Sequence, residues 1–233
     1  MEAKVLHNLM SANDDFAEEI RAFRQDRGGI PMLNLIGGPG CGKTALLEKT
    51  IVDLKDEVGI AVIEGDIATP NDADRIARAG AQSIQINTHG SCHLDANLVL
   101  KAMLRLDLEG VDLIVVENVG NLVCPAEFDV GEDVKVGMLS VTEGEDKPTK
   151  YPLLFRESAV VLLSKVDLLP YVPFDVSAFE QAARDLNGPV DILHVSATGE
   201  AGITPWTDWI RTFVTNHGDM QRGEPVLAET VVS

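Results

Sequence analysis

The sequence predicts an α/β fold with three layers, in which a mainly parallel sheet is covered by helices on both faces. Two observations predict this fold class. Short, continuously apolar segments alternate with helical patterns along most of the 233 residues, and a glycine-rich loop joins the first such segment to the following helix. Strands that are apolar throughout are typical of a parallel sheet with right-handed crossovers, and ligands of such sheets bind at the carboxyl ends of the strands.

The first third of the chain contains two predicted strands and three predicted helices. Residues 12–27 (ANDDFAEEIRAFRQDR) form a polar, amphipathic helical pattern. Residues 32–37 (MLNLIG) are short and apolar, as expected of a buried strand, and residues 44–57 carry apolar side chains at helical spacing. A second apolar strand is predicted over residues 60–65, and a helix that ends at a glycine over residues 71–80.

The middle of the chain continues the alternation. Residues 83–88 (SIQINT) predict a third strand, and residues 93–107 (HLDANLVLKAMLRLD) have the apolar spacing of a helix. Residues 113–119 (LIVVENV) predict a strand that is buried on both faces. A further strand is predicted over residues 134–143, with a hinge at its internal glycine.

The last third completes the predicted sheet. A short helix over residues 151–158 precedes a strand over residues 159–166 (AVVLLSKV). Residues 177–186 predict a helix, and residues 190–196 (VDILHVS) the last strand. The helix over residues 204–218 closes the core, with a threonine as its N-cap and a proline at the first helical position.

Composition and charge exclude or disfavour several classes of protein. With 45% apolar residues the chain can bury one sizeable core, and no apolar run approaches the ~20 residues that span a bilayer. The net charge of −18 argues against nucleic acid as a main partner, because phosphate binding needs a basic face. The charge suits cations, basic partner surfaces, or simply a solvated or salt-adapted surface. The N-terminus lacks an apolar signal segment, so we expect a cytoplasmic protein without a membrane partner.

The glycine-rich loop carries a phosphate-binding motif. Residues 37–44 (GGPGCGKT) fit G-x-x-x-x-G-K-[ST], between the strand and the helix that the motif requires. Lys43 is expected to reach the β- and γ-phosphates in catalysis, and Thr44 to place its hydroxyl on Mg²⁺. Backbone N–H groups and the helix N-terminus would bind the phosphates. These nucleotide contacts are assigned to Gly38, Gly40, Cys41, Gly42 and Ala45, with the backbone of Cys41 mattering more than its thiol. The motif makes the predicted fold a P-loop NTPase.

Two acidic residues at strand ends are candidates for magnesium chemistry. Asp66 follows the second strand, and Glu117 lies near the end of the fourth. Asp66 would hold Mg²⁺ through water or orient the attacking water, and Glu117 would serve the same catalytic cluster. Gly120 offers an N–H to the γ-phosphate. The alternative is that either acid caps the following helix.

A segment after the sixth strand predicts recognition of guanine. Its sequence, S-K-V-D, resembles the N-K-x-D motif of GTPases. Asp167 can accept hydrogen bonds from N1–H and the 2-amino group of guanine; adenine offers no N1–H, and losing hydrogen bonds to a charged group costs roughly 1.5–3 kcal/mol. Lys165 would lay its stem along the base. Ser164 is expected to be too short for the bridge that asparagine makes to the phosphate loop. Ser196 and Ala197 resemble the loop that offers an N–H to the guanine O6, so the sequence favours GTP over ATP.

Two cysteines and a histidine predict a second, softer metal site. Cys92 and His93 lie side by side near the mouth of a predicted helix, whose dipole is expected to lower the pKa of the thiol. Cys124 follows the neighbouring strand by a few residues and can approach them. Sulfur and imidazole ligands suit Zn²⁺ or Ni²⁺. With three ligands, and His89 as a possible fourth, the site is either open to water or shared by two chains. The alternative is a pair of buried, unreactive thiols with a helix-capping histidine.

These motifs together resemble one family, HypB, the nickel-incorporation GTPases of [NiFe]-hydrogenase maturation. The resemblance rests on GGPGCGKTALLEKT, VIEGDIATPNDADRI, CHLDA, ENVGNLVCPAEFDVGE, SVTEGEDKPTKYP and SKVDLLPY, which span residues 30–205. It implies a SIMIBI-class GTPase that forms a homodimer with GTP and carries Cys92, His93 and Cys124 as a metal site at the dimer interface. It also implies that Lys147 contacts nucleotide across the dimer. The implied partners are an accessory protein of hydrogenase maturation and the hydrogenase large subunit.

Two features of that family are absent, and other functions stay open. Many relatives carry an N-terminal Cys-x-x-Cys-Gly-Cys nickel site, and some a histidine-rich tract; here the N-terminal segment has only His7. High-affinity nickel binding there is not expected. No glutamine or arginine finger is evident, which predicts slow intrinsic hydrolysis. One alternative is a urease accessory GTPase, against which the segment ENVGNLVCP argues. A metabolite kinase would need an arginine-rich lid over the phosphates, and no such lid is evident in the sequence. A nucleotide-gated scaffold with structural zinc is the third alternative.

The order of elements predicts three parts of the chain. Residues 1–29 are expected to form a helical extension packed on the domain. Residues 30–218 would form the GTPase domain with its embedded metal site. Residues 219–233 would form a polar C-terminal tail.

Overall fold

The computed structural model describes residues 2–66, 71–88, 90–188, 190–199 and 201–222. The strands are β1 Met32–Gly37, β2 Ile60–Asp66, β3 Gln82–Asn87, β4 Leu113–Glu117, β5 Val134–Ser140, β6 Ser158–Ser164 and β7 Asp191–Val195. The helices are α1 Glu2–Gln25, α2 Lys43–Leu54, α3 Asn71–Ala79, α4 Ala96–Met103, α5 Cys124–Glu127, α6 Lys147–Lys150, α7 Pro152–Glu157, α8 Val176–Leu186 and α9 Thr204–Arg222, with a 3-10 helix at Val166–Tyr171. In this described part of the chain, no helix combines the length and apolar character needed to cross a bilayer.

The seven strands form one sheet in the order β3-β2-β4-β1-β5-β6-β7, and every neighbouring pair is parallel. The predicted α/β fold is confirmed, and the sheet is parallel throughout rather than mainly parallel. All seven carboxyl ends therefore meet at one edge, where parallel sheets bind their ligands. The central strands β1 and β4 are fully buried, which explains their unbroken apolar sequences.

Helices cover both faces of the sheet and make three layers. Successive side chains of a strand point to opposite faces, and β1 shows this alternation. Leu33 and Leu35 pack in the cluster that includes α2 and α9. Met32 packs with α1 and α4, and Ile36 with α7 and α8, both on the opposite face. Burial of these apolar side chains on both faces fixes the sheet that positions the loops at its edge.

Some element bounds differ from the predicted ones. Helix α4 begins at Ala96 instead of residue 93, because the Asp95 side chain accepts a hydrogen bond from the Leu98 amide at 2.8 Å and so caps the helix there. Helix α1 begins ten residues earlier than predicted, and α9 continues through Gly218 to Arg222. The tail beyond Arg222 lies outside the described residues, and the division of the chain into three parts stays a prediction.

Helix α1 is anchored to the segment between α5 and β5. The buried guanidinium of Arg24 forms an ion pair with Asp133 at 2.6 Å and donates to the Gly131 carbonyl at 2.8 Å. Arg21 pairs with Asp129 at 2.5 Å, and Ile20 packs so closely on Gly131 that a β-carbon there would meet it at 2.6 Å. These contacts fix α1 beside the residues that follow Cys124 in the chain.

Candidate nucleotide and metal sites

The glycine-rich loop forms a phosphate cradle between β1 and α2. Gly40 and Gly42 have φ of +76° and +102°, a conformation that residues with a β-carbon adopt only with strain. The Lys43 ammonium is buried and donates to the Gly37 carbonyl at 3.2 Å, so it folds back over the loop. A cavity of about 530 Å³ opens above the helix N-terminus. Its lining includes the predicted residues Gly40, Gly42, Lys43, Thr44, Ala45, Glu117 and Gly120. This arrangement suits the binding of phosphate groups.

Oxygen ligands for a hard cation lie at one side of this cavity. The Thr44 hydroxyl donates to a carboxylate oxygen of Glu117 at 2.9 Å. Glu117 does not cap the next helix, since the N-cap of α5 is Val123. Hydroxyl and carboxylate oxygens are the ligands that Mg²⁺ prefers, so the residues present fit this ion. Asp66 ends β2 beside β4, but its side chain lies outside the described residues.

Glu64 is a further acidic residue at this cavity that the sequence reasoning missed. It is 2% exposed, lines the cavity and lies opposite Glu117 in the register of β2 and β4. A signal was present in the sequence, since a glutamate inside an apolar strand is rarely buried without a function or a partner. The sequence pattern predicts Asp66, two residues later at the strand end, as the magnesium residue instead.

A second cavity of about 290 Å³ continues from the first and contains the predicted guanine-binding residues. Gly42, Ala45 and Lys165 line both cavities. Asp167 accepts a hydrogen bond from the Ser196 hydroxyl, and Ala197 lines the same space. The Lys165 ammonium donates to the Gly40 carbonyl at 2.6 Å, which lays its stem between the two cavities. One elongated space therefore has room for phosphates at one end and a base at the other.

Ser164 corrects one expectation about this second cavity. We had expected its side chain to be too short to reach the phosphate loop. Its hydroxyl donates to the Cys41 carbonyl at 2.8 Å, because β6 and the loop approach closely enough for a two-atom side chain to span the gap.

Cys41 itself is almost fully buried, and burial raises the pKa of its thiol to about 11. The thiol is thus protonated at neutral pH and faces the interior.

Cys92, His93 and Cys124 form a compact cluster at the same edge of the sheet. Their ligand atoms all lie within 4.8 Å of one another. Cys92 and His93 lie in irregular backbone before α4, where adjacent side chains can converge, and the Cys92 sulfur is 3.5 Å from the His93 Nδ1. Cys124 is the first residue of α5. His89 lies outside the described residues. The cluster has the donor set of a zinc or nickel site.

Electrostatics at the cluster differ from the expectation for Cys92. A hydrogen bond with the Cys124 thiol, and then partial burial, raise the pKa of Cys92, so the predicted lowering by the helix dipole is wrong. The helix begins only at Ala96, too far along the chain for its N-terminal amides to stabilise a thiolate at residue 92. Burial lowers the pKa of His93 against the raising effect of Asp95 and Glu127, which favours the neutral imidazole that binds metals.

The segment from Glu117 to Cys124 connects the two sites directly. The backbone amide of Asn121 donates to the phosphate-loop carbonyl of Gly37 at 3.1 Å, and its side chain donates to the Cys92 carbonyl at 3.2 Å. Gly120 lies so close to Pro39 of the phosphate loop that a β-carbon would approach the Pro39 Cα to 2.9 Å. These contacts join the phosphate loop to both cysteine-bearing segments.

Lys147 lies apart from these groups within one chain. It begins α6, and its ammonium is 5.8 Å from the centroid of the Tyr151 ring. Neither cavity, as the described residues outline it, includes Lys147. Its predicted contact with nucleotide across a dimer stays a prediction.

The fold and these two sites define a P-loop nucleotide-binding protein with a separate cysteine–histidine metal cluster. The family model "CobW/HypB/UreG, nucleotide-binding domain" matches residues 31–194. The hydrogenase maturation factor HypB of Escherichia coli K12 is 49% identical over 205 residues, which cover 88% of this chain and 70% of the relative. The chain belongs to the HypB family of hydrogenase maturation factors.

Solved structures of other family members have the same fold. The crystal structure of HypB from Helicobacter pylori in complex with nickel is 32% identical, with a TM-score of 0.82, and covers 94% of this chain and all of that one. HypB from Archaeoglobus fulgidus is 34% identical, with a TM-score of 0.81, and covers 88% of this chain and 99% of that one. The similarity extends over most of the chain in both comparisons.

Proposed function

We propose that this protein is a GTP-hydrolysing metallochaperone that delivers nickel during [NiFe]-hydrogenase maturation. The observation that carries the proposal is the segment from Glu117 to Cys124, which touches the phosphate loop at one end and carries a cysteine of the metal cluster at the other. Nickel is the cargo of the reaction, and GTP its second substrate. A role in hydrogenase maturation is supported by membership of the HypB family.

The nucleotide pocket supports guanine as the base and hydrolysis as the reaction. Asp167 offers carboxylate oxygens at the base end, and Lys43 a buried positive charge at the phosphate end. Mg²⁺, when held by Thr44, Glu117 and Asp66, would neutralise charge on the phosphates. These side chains orient the phosphate chain. Arg75 also lines this cavity but pairs with Glu48, and no glutamine or arginine finger is evident in the sequence, so we expect slow turnover.

The partial exposure of the cysteine–histidine cluster would allow a bound nickel ion to be exchanged. Cys92 is exposed, while His93 and Cys124 are half-buried, so a metal here stays accessible from one side. Three ligands leave a position open for water or for ligands from a second copy of the chain. We propose that GTP binding brings two copies together at this edge and that hydrolysis loosens the segment and weakens the metal site. The released ion would pass, with an accessory protein, to the hydrogenase large subunit in the cytoplasm.

Nickel titration in different nucleotide states tests the proposal. The wild-type protein is titrated with Ni²⁺ without nucleotide, with GDP and with a non-hydrolysable GTP analogue, and its mass in solution is measured in each state. We expect the nickel Kd to differ between the GDP and GTP-analogue states and the mass to double with the analogue. Equal nickel Kd values in all three states would instead indicate a scaffold with a structural metal. Hydrolysis of ATP as fast as GTP would contradict the assignment of the base.

A further inference from the structure

We propose that Asn13, on the N-terminal helix α1, positions the metal cluster by bridging the two segments that carry its ligands. The proposal rests on the proposed function in one respect, that Cys92, His93 and Cys124 bind the metal. Asn13 is 8% exposed and lies far from these residues in sequence. Its carboxamide makes two hydrogen bonds, one to each ligand-bearing segment.

The first hydrogen bond fixes the segment that contains Cys92 and His93. The Asn13 Oδ1 accepts from the backbone amide of Ala96 at 2.9 Å. Ala96 is the first residue of α4, three residues after His93, and the first amides of a helix have no partner within the helix. Asp95 caps α4 through the Leu98 amide, so Asn13 satisfies a different N–H. The two hydrogen bonds together fix the first residue of α4. They therefore also fix the direction of the backbone that carries Cys92 and His93 into this helix.

The second hydrogen bond fixes the segment that follows Cys124. The Asn13 Nδ2 donates to the backbone carbonyl of Asp129 at 2.7 Å. The preceding residue, Phe128, stacks its ring on the His93 imidazole, with centroids 4.0 Å apart and planes 25° from parallel. One side-chain amide thus controls both the backbone after His93 and the ring that packs against its imidazole.

The helix that carries Asn13 is itself held firmly. The Arg21–Asp129 ion pair and the buried bonds of Arg24 attach α1 to the same segment about two and three turns further along the helix. Asn13 is therefore a rigid support for the cluster. Residues that orient metal ligands from outside the coordination shell typically change metal affinity 10- to 100-fold when they are removed. We expect an effect in this range from Asn13, although it touches no ligand atom.

The test compares Asn13→Ala with wild type as full-length, folded protein without nucleotide. Nickel Kd is measured by competition with a chelator, and the Ni²⁺–thiolate charge-transfer spectrum is recorded. We expect the Kd to rise about 10-fold or more and the charge-transfer bands to shift. Asn187→Ala is the matched control, because the Asn187 side chain donates to the carbonyls of Phe155, Arg156 and Ser158, away from the cluster. This control should lose stability without a change in Kd or spectrum.

Two further variants keep the test decisive. Asn13→Asp is isosteric, keeps an acceptor for the Ala96 amide and loses the donor to Asp129, so it should also weaken nickel binding if the bridge matters. In a double-mutant cycle, Asn13→Ala and Phe128→Ala should be non-additive in nickel Kd, because both act on the His93 ring. Strictly additive effects would overturn the route through Phe128.

The outcomes separate this proposal from the proposed function. If Cys92→Ala binds nickel as tightly as wild type, the cluster is not the nickel site and the proposed function fails. If Cys92→Ala loses nickel but Asn13→Ala and Asn13→Asp keep the wild-type Kd and spectrum, the cluster stands and the role of Asn13 is overturned.

Discussion

The hydroxyl of Ser164 donates a hydrogen bond to the carbonyl of Cys41 across 2.8 Å, joining the guanine-binding segment to the phosphate loop. The same hydroxyl lies 3.2 Å from the Leu139 carbonyl on β5. A serine thus makes a bridge that the GTPase motif assigns to the longer asparagine. Together with the Lys165 ammonium, which donates to the Gly40 carbonyl, this buried side chain links the two ends of the nucleotide pocket.

Removing this bridge should weaken nucleotide binding. A hydrogen bond contributes roughly 0.5–1.5 kcal/mol net, so we expect Ser164→Ala to raise the GDP Kd about 2- to 10-fold in a fluorescent-nucleotide titration. Ser158→Ala is a matched control on the same strand, since Ser158 donates to the Leu154 carbonyl at the far end of β6. An unchanged GDP Kd for Ser164→Ala, or an equal rise for both variants, would show that the bridge does not shape the pocket.

Replacing Glu117 by glutamine should reduce the affinity for magnesium. The amide keeps an oxygen to accept from the Thr44 hydroxyl but loses the negative charge, so the protein should fold normally. We expect the Mg²⁺ concentration for half-maximal GTP hydrolysis to rise roughly 10- to 100-fold. Glu157→Gln, at the exposed end of α7, should leave this concentration unchanged. A wild-type magnesium dependence in Glu117→Gln would reject the assignment of Glu117.

Asn121→Ala tests the connection between the sites. The variant keeps the backbone bond to Gly37 but loses the side-chain bond to the Cys92 carbonyl and that accepted from the Val123 amide. We expect the ratio of nickel Kd values in the GDP and GTP-analogue states to move toward one, while GDP affinity changes little. The ratio is measured by the same competition titrations in both states. A wild-type ratio would mean that the coupling takes another route.

The three cysteines should differ in reactivity. Cys92 is exposed, whereas Cys41 is 1% exposed with a thiol pKa raised to about 11, so little thiolate is present near neutral pH. The raised pKa of Cys92 slows its alkylation, but its exposure keeps it accessible. With iodoacetamide at pH 7.5, we therefore expect alkylation of Cys92 and none of Cys41 in the folded protein, located by peptide mass spectrometry. Ni²⁺ should protect Cys92 and Cys124 and leave Cys41 unaffected. Alkylation of Cys41 as fast as Cys92 would contradict its burial.

Much of the fold could be predicted because its signals are local. The central strands β1 and β4 are nearly continuous apolar runs, and the helices α2 and α8 repeat apolar residues at helical spacing. The one-turn helices α5 and α6 were missed, because four residues are too few to show a period. The apolar pattern predicts a start of α4 at residue 93, three residues too early, because Leu94 fits helical spacing although Asp95 caps the helix after it.

The sequence could predict those parts of the site that belong to motifs with fixed spacing, but not the contacts between distant segments. The residues of the phosphate loop and the segment with Asp167 have fixed spacings in sequence, and the cluster follows from strand ends that share an edge. The bridge from Ser164, the register of Glu64 with Glu117 and the bonds of Asn13 depend on how distant segments pack. Nothing in the amphipathic pattern of α1 distinguishes Asn13 from its polar neighbours, so its role needed three-dimensional contacts.

Lys165 is a non-glycine residue with a positive φ, +56°, in the described part of the chain. Such a conformation costs about 1 kcal/mol or more for a residue with a β-carbon. A glycine would relieve this strain, yet it could not span the two cavities or reach the Gly40 carbonyl. The backbone strain at Lys165 is therefore retained because the side chain is needed in the nucleotide pocket. Lys165→Gly would raise thermal stability but lower nucleotide binding, so selection for stability alone would favour a less active protein.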